Sequence, residues 1–427
     1  MRVFVIGAGA REHALCARLR NEPEVSEVIC APGNPGIAAV ARLVHAKASD
    51  VDALLEIARR ERVDFTIVGP ELPLSLGIAD RFAADHRSLF GPTAAAAQLE
   101  SSKAFAKDFM ARHHVPTARF QVCRTLDAAR AVLGSGEFGW PVVVKADGLA
   151  AGKGVVLAPD LNAAAEAVTA FMQDRRFGDA GATVVIEECL AGPEVSFFVI
   201  SDGRTALPIG TAQDHKRIFD DDRGPNTGGM GAFAPSPLID DALSSRIMRE
   251  IVNPVISGMA REGNPFIGFL YVGLMLTAQG PRVIEFNARL GDPETQVVLP
   301  LIAEPMLPLL TSAAAGRLLR DRCAISSERL VGIVLASRGY PESSQAGCVI
   351  SGLPAVDRLT NVMVFHAGTA LADGQIVTDG GRVLTVVGRG TTFGEAISAA
   401  YSGVKEIAFD GMQFRSDIGR KALAVAV

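Results

Sequence analysis

The sequence predicts a chain of several domains, of class α/β and α+β, with a doubly wound parallel sheet at its N-terminal end and a small α+β domain at its C-terminal end. The chain has 427 residues, of which 48% are hydrophobic, and this is enough for more than one hydrophobic core. Residues 1–95 alternate strand-like and helix-like segments, which is typical of a parallel sheet covered by helices. From about residue 330 onward, four strand-like runs precede one helical segment.

The N-terminal unit is predicted from β-branched runs that alternate with helical patterns and end at the breaker pair Gly91-Pro92. Its predicted strands cover 3–6, 28–31 and 65–68, and its predicted helices cover 11–19 and 51–60. In a doubly wound sheet, ligands bind beyond the carboxyl ends of the strands. The loops at those ends, 7–13, 32–36 and 69–71, are therefore expected to form one binding crevice.

The first of these loops begins like a dinucleotide-binding motif and then departs from it. Gly7 and Gly9 have the required spacing, but Glu12 stands where that motif needs a glycine or an alanine for close packing of helix and strand. Arg11, at the start of the helix, suits a monophosphate instead. NAD is therefore not expected as a cofactor.

The central part of the chain is predicted to begin with a helix that opens at Ser101-Ser102-Lys103, where a serine is a good N-cap. Phe105 and Phe109 are one turn apart and therefore share a face of that helix. Residues 141–198 read as strand, loop, strand, helix, strand, strand, and residues 265–300 return to strands. The C-terminal strands are predicted at 331–336, 349–351, 362–366 and 383–387, before a helix at 393–407.

A glycine-rich loop from Lys145 to Val155 joins two β-branched strands of this central part. Backbone amides that no side chain shields can approach phosphate oxygens, and Lys153 and Lys145 can neutralise their charge. The loop is not a Walker A motif. That motif has four residues between its first glycine and the Gly-Lys pair, whereas here three residues separate a glycine from the Gly152-Lys153 pair, and Gly154 and a strand follow the pair. The alternative is an ordinary hairpin with a long turn, but three glycines around a lysine favour phosphate binding.

A candidate metal site follows from alternation along the strand around residues 282–289. If that strand is regular, Val283, Glu285, Asn287 and Arg289 point to one face. A carboxylate and an amide oxygen two residues apart suit Mg²⁺ bridging to phosphates. A polar edge strand is the alternative interpretation, and the nearby phosphate loop favours the metal.

Two further segments carry weaker signals. The strand at 184–190 continues to Glu194 and can offer backbone groups to an adenine and a carboxylate to a ribose, although acidic residues often follow strands. The segment 212–231 mixes charges with glycines, which is typical either of a solvated loop or of a functional lid. A lone histidine such as His215 is weak evidence for a catalytic base.

The composition excludes several classes of partner. The net charge is −5 and no long basic tract is present, so nucleic acid is not an expected partner. No apolar run approaches the roughly 20 residues of a transmembrane helix. The N-terminus has no cleavage-site pattern, so a cytoplasmic location is expected. The six cysteines lack a Cys-x-x-Cys pair and are expected to be buried thiols. No apolar stripe demands a partner, so a monomer is expected.

These motifs together resemble the phosphoribosylamine–glycine ligase family, a member of the ATP-grasp superfamily. The resemblance covers essentially the whole chain and rests on the segments 5–14, 31–34, 68–71, 145–155, 213–217, 224–231 and 291–296. Pro35 and Leu290 depart from the family's pattern, but neither position supplies a polar group. The resemblance implies a pre-ATP-grasp, Rossmann-like domain at 1–100, an ATP-grasp domain at 101–327 with core 107–315 and mobile lid 120–192, and a C-terminal α+β domain at 328–427.

The resemblance also implies a reaction in which glycine, 5-phosphoribosylamine and ATP give glycinamide ribonucleotide, ADP and phosphate through a glycyl phosphate, early in purine synthesis. The implied ATP-binding residues are Lys103, Lys145, Gly152, Lys153, Gly154, Glu187, Glu188, Cys189, Leu190 and Glu194. Glu285 and Asn287 would bind Mg²⁺ or Mn²⁺, and Arg289, Asp214 and Lys145 would be catalytic. The implied substrate-binding residues are Gly9, Arg11, Glu12, His13, Gly33, Asn34, Glu71, Asp214, His215, Lys216, Arg289, Asp292, Pro293 and Glu294. The alternatives are another ATP-grasp ligase or carboxylase, tested by glycine against bicarbonate, and a non-enzymatic nucleotide sensor or scaffold.

Overall fold

A computed structural model describes residues 1–149 and 154–425 of the chain. The N-terminal unit contains a parallel sheet of five strands in the order β3-β2-β1-β4-β5. Its elements are β1 (Arg2–Gly7), α1 (Ala10–Arg20), β2 (Glu27–Pro32), β3 (Arg42–Leu43), α2 (Val51–Arg60), β4 (Phe65–Val68), α3 (Glu71–Ser75), α4 (Ile78–Ala84) and β5 (Leu89–Phe90). The predicted doubly wound sheet is thus confirmed.

The segment predicted as a lid, residues 120–192, contains a separate antiparallel sheet of four strands in the order β6-β9-β7-β8. Helices α5 and α6 precede it, and α7 and α8 supply apolar side chains to its core. The elements here are α5 (Gln98–Ser101), α6 (Lys103–Arg112), β6 (Phe120–Cys123), α7 (Leu126–Ser135), β7 (Val142–Ala146), β8 (Val155–Ala158), α8 (Leu161–Met172) and β9 (Val184–Glu188). Strands β7 and β8 flank the glycine-rich loop, as the sequence predicts.

The largest sheet has eight antiparallel strands in the order β16-β15-β10-β11-β14-β17-β21-β18. The strands and helices up to residue 314 are β10 (Glu194–Asp202), β11 (Ala206–Asp214), β12 (Arg217–Phe219), β13 (Arg223–Asn226), β14 (Gly231–Ala234), α9 (Asp241–Ile247), α10 (Asn253–Arg261), β15 (Ile267–Thr277), β16 (Gly280–Asn287), α11 (Thr295–Val298) and α12 (Leu307–Ala314). Those that follow are β17 (Arg329–Ala336), α13 (Leu353–Val356), β18 (Val362–His366), β19 (Thr369–Ala372), β20 (Gln375–Thr378), β21 (Arg382–Gly390), α14 (Phe393–Glu406) and α15 (Arg420–Val425).

The C-terminal strands extend the central sheet, because β14 pairs with β17 from Gly231↔Ile333 to Ala234↔Leu330. One predicted strand does not form. Residues 349–351 make only isolated bridges, Val349 to Val377 and Ser351 to Ala408. The hairpin of β19 and β20 is present instead and was not predicted.

The N-terminal unit shares a hydrophobic core with the rest of the chain. Val5 and Leu15 belong to the same buried cluster as Phe198 of β10, Leu307 of α12 and Phe365 of β18. The loops at the carboxyl ends of β1, β2 and β4 therefore lie against both later parts of the chain. Within 1–149 and 154–425, no helix combines the length and the apolarity needed to cross a lipid bilayer.

Candidate functional site

The N-terminal end of α6 is joined to the strand that precedes the glycine-rich loop. Ser102 caps the helix, since its hydroxyl accepts from the Phe105 N–H at 3.0 Å, as the sequence predicts. Asp147, just after β7, accepts from the Ser102 hydroxyl at 3.0 Å and from the Ala104 N–H at 2.7 Å. The Lys103 ammonium donates to the Gly148 carbonyl at 3.2 Å. The lysine predicted to contact ATP phosphates thus lies at the edge of the loop.

A buried carboxylate between two lysines lies behind this edge. Glu187 of β9 contacts Lys145 of β7 at 2.9 Å through Oε1 and Lys107 of α6 at 2.8 Å through Oε2. All three side chains are at most 6% exposed. Lys145 also donates to the Ile284 carbonyl at 3.1 Å. Lys107 is absent from the sequence predictions, although its position one turn after Lys103 on the same helix face was an available signal.

The strand that carries the candidate metal ligands contains a β-bulge. Gly273 of β15 pairs with Glu285 while Leu274 pairs with Val283, which leaves Ile284 as the extra residue. Val283 is therefore buried in the same cluster as Phe286, on the opposite face from Glu285. The prediction that Val283 shares a face with Glu285 and Asn287 is wrong, because the alternation rule assumes an unbroken ladder.

Cations from separate elements surround Glu285. Burial raises the pKa of Glu285, but Lys216, Lys145 and Lys103 outweigh it, and the pKa lies below its usual range. The carboxylate is therefore kept ionised, and the amide of Asn287, 8% exposed, comes from the same strand. An ionised carboxylate oxygen and an amide oxygen are the donors that a hard divalent cation prefers, so these residues fit such an ion.

A second acidic group lies at the end of β11. The Glu194 carboxylate contacts the Lys216 ammonium, and both are about one-third exposed. Burial raises the pKa of Asp214, with Lys216 opposing the shift. Burial alone would lower the pKa of Lys216, but Glu194 and Asp214 raise it well above its ordinary value. The three predicted residues Asp214, Lys216 and Glu194 are thus brought together beside Glu285.

Arg289 follows the end of β16 and lies between two carboxylates. Its Nε contacts Glu71 at 3.1 Å and its Nη2 contacts Glu100 at 3.0 Å. Nη1 donates to the Leu290 carbonyl at 3.1 Å, so one N–H on each terminal nitrogen remains for a ligand. Burial raises the pKa of Glu100 to about 7 in spite of Arg289. Glu100 was not predicted, because nothing in its local sequence distinguishes it from a surface residue.

The loop after Arg289 is anchored from two sides. The Glu294 carboxylate accepts from the Ser196 hydroxyl at 3.3 Å, and the Ser196 oxygen lies 3.0 Å from the Tyr271 hydroxyl, whose proton it can accept. Asp292 accepts from Gln296 at 2.8 Å through its carboxylate. Arg382, at the start of β21, donates to the Asp292 and Gly228 carbonyls, each at 2.6 Å. Pro293 packs against Gly229, where an added Cβ would lie 2.4 Å from the proline Cδ. Ser196, Tyr271 and Arg382 were not predicted.

Glu12 occupies the space over the glycines of the N-terminal loop. Its side chain fills the space over three glycines, because a Cβ added at Gly7, Gly9 or Gly69 would lie 2.4, 2.9 or 2.0 Å from a Glu12 atom. The carboxylate accepts from the Gly9 N–H at 2.6 Å and from Arg11 Nε at 2.7 Å. The glycines here make room for a side chain of the protein itself.

Three of the predicted substrate contacts are used inside the protein. His13 is 7% exposed and its Nδ1 accepts from the His366 N–H of β18 at 2.9 Å. Burial lowers the pKa of His13 to about 3. The Asn34 amide donates to the carbonyls of Ala8 and His366, both at 2.8 Å. Gly33, with φ of +71°, packs against a leucine of β3. His13 and Asn34 therefore join the N-terminal unit to β18, and the substrate contacts predicted for these three residues stay predictions.

His215 is also separated from the residues on either side of it. Because side chains alternate along an extended chain, it points away from Asp214 and Lys216. It is 1% exposed, its ring is 5.9 Å from that of Phe233, and neither ring nitrogen has a hydrogen-bond partner among the described residues. Burial lowers the pKa of His215 to about 4, so the ring is neutral. The structure therefore does not support His215 as a substrate contact.

The remaining predicted ATP contacts follow β9 or belong to the glycine-rich loop. Glu188 accepts from the Arg119 backbone at 2.9 Å, and Cys189 and Leu190 continue as extended chain toward Glu194. The Gly154 carbonyl accepts from the Ala146 N–H at 2.8 Å, which closes the base of the loop. Gly152 and Lys153 lie outside the described residues.

Three family models match successive parts of the chain. They are the N domain, the ATP-grasp (A) domain and the C domain of phosphoribosylglycinamide synthetase, and they match residues 1–100, 101–295 and 330–421. The order of the three models is the order in which the N-terminal sheet, the lid and central strands, and the C-terminal strands occur in the fold.

Curated relatives match over the whole length. A phosphoribosylamine–glycine ligase from Xanthomonas axonopodis is 51% identical over 428 residues, with 99% of this chain and 98% of the relative covered. One from Ralstonia nicotianae is 48% identical over 426 residues, covering 99% of this chain and 100% of the relative.

Similar solved structures include a member of the same family and a more distant protein that shares the fold. The crystal structure of a phosphoribosylamine–glycine ligase from Thermotoga maritima has a TM-score of 0.86 at 32% identity, covering 98% of this chain and 100% of that one. A biotin carboxylase from Campylobacter jejuni has a TM-score of 0.75 at 15% identity, covering 97% and 92%. The second likeness concerns the fold alone.

Proposed function

This chain belongs to the phosphoribosylglycinamide synthetase family and is an ATP-dependent ligase, and we propose that it joins glycine to 5-phosphoribosylamine. The products are glycinamide ribonucleotide, ADP and phosphate, early in purine synthesis. The observation that carries this proposal is the group of cations around Glu285. Lys103, Lys145 and Lys216 come from three different segments and all act on its pKa. Such a concentration of positive charge beside a metal-type donor pair suits the phosphates of ATP.

The first chemical step is a phosphoryl transfer. A carboxylate oxygen of glycine attacks the γ-phosphorus of ATP, an O–P bond forms, and the O–P bond to ADP breaks to leave glycyl phosphate. Lys103 and Lys145 neutralise charge on the phosphates. A divalent cation, Mg²⁺ or Mn²⁺, would be held by Glu285 and Asn287 and would supply further charge neutralisation at the phosphates when bound.

The second step forms the amide. The amine of phosphoribosylamine attacks the carbonyl carbon of glycyl phosphate, a C–N bond forms, the C–O bond to phosphate breaks, and the nitrogen loses a proton. The protein needs no nucleophile of its own for either step, because phosphate is the leaving group. Catalysis then depends on positioning and on electrostatic stabilisation.

Glycine is proposed to lie between Arg289 and Asp214. Arg289 retains two N–H groups for a carboxylate, and Glu71 and Glu100 fix the plane of its guanidinium. Asp214, which lies near Lys216 and Glu194, is proposed to accept from the amino group of glycine.

Phosphoribosylamine is proposed to bind the neighbouring N-terminal crevice. The loop of Gly9, Arg11 and Glu12 lies beside the chain of 290–294, since Arg11 Nη1 donates to the Leu290 carbonyl at 3.1 Å. Asp292, Pro293 and Glu294 form the other wall. The adenine and ribose are proposed to lie along residues 187–190 and at Glu194.

The direct test is ADP release from ATP with freshly made phosphoribosylamine and glycine. We expect release to require both substrates. Equal release without glycine, or release driven by bicarbonate in place of glycine, would overturn the proposal, and the second result would favour an ATP-grasp carboxylase. ATP binding without turnover for any acid and amine would favour a sensor.

The role of Lys145 is tested by Lys145→Met, which keeps the length of the buried side chain but not its charge. We expect weaker ATP binding, by about tenfold or more, which corresponds to about 1.4 kcal/mol. The exposed Lys405 of α14 provides a control, and Lys405→Met should bind ATP like the unchanged protein. Unchanged ATP affinity in Lys145→Met would remove that residue from the site.

A further inference from the structure

The Glu187 carboxylate is shared by two lysines, and one of them, Lys145, is proposed to bind ATP. Lys145 already contacts Glu187 at 2.9 Å and the Ile284 carbonyl at 3.1 Å, in a pocket where it is 6% exposed. To reach a phosphate oxygen, Lys145 must give up at least part of these contacts. A buried carboxylate that loses its only cation costs several kcal/mol, so the departure of Lys145 would be opposed unless another cation remained.

Lys107 is that second cation. Its ammonium lies 2.8 Å from the other oxygen of Glu187, 2.7 Å from the Thr117 hydroxyl and 5.8 Å from the centroid of the Phe120 ring. With 3% of its side chain exposed, Lys107 is enclosed by these groups, whereas Lys103 contacts the Gly148 carbonyl at the edge of the loop. Lys107 can therefore stay on Glu187 when Lys145 moves.

The same two lysines are also connected to the bulge in β16. Thr117, which accepts from Lys107, donates its own hydroxyl proton to the Val283 carbonyl at 2.7 Å. Lys145 donates to the carbonyl of Ile284, the extra residue of the bulge. Since Glu285 follows directly, the ion cluster is continuous with the strand segment that positions the candidate metal ligand.

We propose that Lys107 is a positioning residue for the nucleotide: it holds the Glu187 carboxylate neutralised so that Lys145 is free to turn to the phosphates of ATP. This inference rests on the proposed ATP contact of Lys145. Lys107 itself touches neither ATP nor the metal. Its effect on nucleotide binding passes through Glu187, and it should vanish when the charge of Glu187 is removed.

The test is a set of variants in which Mg²⁺–ATP binding is measured by calorimetry without glycine or phosphoribosylamine. In Lys107→Met, Glu187 retains Lys145 as its only cation, and we expect about tenfold weaker ATP binding. Lys107→Arg keeps the charge and should bind within about threefold of the unchanged protein. Thermal unfolding of each variant shows whether the chain is folded.

The deciding comparison is Glu187→Gln against the double variant Lys107→Met with Glu187→Gln. Without a carboxylate to neutralise, both should bind ATP with equal affinity. Lys107→Met on its own keeps the Glu187–Lys145 ion pair and removes only the second cation, so it should fold. Weaker binding in the double variant than in Glu187→Gln would mean that Lys107 acts independently of Glu187, and the inference would be wrong. Unchanged binding in folded Lys107→Met would also overturn it.

The outcome is distinguishable from a failure of the proposed function. ATP binding is measured without glycine or phosphoribosylamine, so the experiment can still be interpreted if the chain proves not to be this ligase. Normal ATP binding in Lys145→Met would refute the premise about Lys145. Weak binding in Lys145→Met together with normal binding in Lys107→Met would refute only the role of Lys107.

Discussion

Gly69→Ala is expected to displace the buried carboxylate at the start of α1. A Cβ at Gly69 would lie 2.0 Å from Oε1 of Glu12, 2.5 Å from its Cγ and 2.6 Å from its Cδ. Non-bonded heavy atoms are normally about 3.5–4.0 Å apart, so the overlap is more than an ångström. The backbone at Gly69 lies outside the left-handed region, which means that the substitution acts through this contact.

The expected loss of stability depends on the two hydrogen bonds of Glu12 that the substitution weakens. Its carboxylate accepts from the Gly9 N–H at 2.6 Å and from Arg11 Nε at 2.7 Å, and the side chain is 2% exposed. Hydrogen bonds to charged groups contribute about 1.5–3 kcal/mol each. Weakening both, in a site that water does not reach, should lower the free energy of unfolding by about 2–4 kcal/mol. The midpoint of the first thermal unfolding transition should fall by roughly 5–10 °C.

The assay combines thermal unfolding with steady-state kinetics. Arg11 and Glu12 are proposed to line the phosphoribosylamine crevice, so the KM for phosphoribosylamine should rise. The affinity for ATP, which is proposed to bind at α6 and residues 120–192, should stay unchanged. The control is Gly134→Ala in α7, where no atom lies within 4 Å of the added Cβ. That change replaces glycine by alanine in a helix and should stabilise by about 0.5–1 kcal/mol.

A double variant refutes or supports the reasoning directly. In a Glu12→Ala background the clash is gone, so Gly69→Ala should then cost little. If Gly69→Ala unfolds at the midpoint of the unchanged protein, or costs as much with Glu12 removed as with Glu12 present, the steric account of this loop is wrong.

Two further outcomes follow from buried charges. Arg415 is fully buried and contacts Asp417 at 2.6 Å. In denaturant unfolding, Arg415→Met should therefore lower the free energy of unfolding by about 3–5 kcal/mol. The control Arg338→Met breaks an exposed ion pair and should change that free energy by less than about 1 kcal/mol. Burial lowers the pKa of Lys107 to about 8, with Glu187 opposing the shift. Lys107 therefore loses its proton as pH rises through about 8. In a pH series of calorimetric titrations, ATP affinity should fall over that range in the unchanged protein but not in Lys107→Arg. The same fall in both proteins would contradict this prediction.

The elements that follow from local pattern were predicted well. Helix α2 and strand β4 occupy Val51–Arg60 and Phe65–Val68, the spans expected from periodicity. In a parallel sheet buried on both faces, the strands read as continuous apolar runs between helices, and this signal lies within a few neighbouring residues. The hairpin of β19 and β20 lacks such a signal, because its strands are only four residues long each and mix buried with exposed positions.

The features of the candidate site that the sequence does not predict depend on residues far apart in the chain. The bulge at Ile284 depends on the register between β15 and β16, which no single strand encodes. The burial of Lys107 depends on Glu187, which lies 80 positions later in the chain. His13 lies inside a matching motif, but its ring packs edge-on against Phe365 at 5.5 Å, a contact that the motif does not predict. A motif marks a segment of chain, but the fold decides which face of it meets the ligand.

The continuous eight-stranded sheet gives the C-terminal segment a part in the site. Because β17 pairs with β14 and β21 pairs with β17, the first residue of β21 lies beside the loops that end in Gly228 and Asp292. Arg382, that first residue, donates to both carbonyls. The Tyr340 hydroxyl accepts from the Gly228 N–H at 2.8 Å and fixes the same loop from another side. Removing the segment after residue 328 would therefore leave β14 paired on one edge only, with β11, and would release the loops at Gly228 and Asp292. The C-terminal strands thus support the geometry of a site whose proposed ligands they do not hold directly.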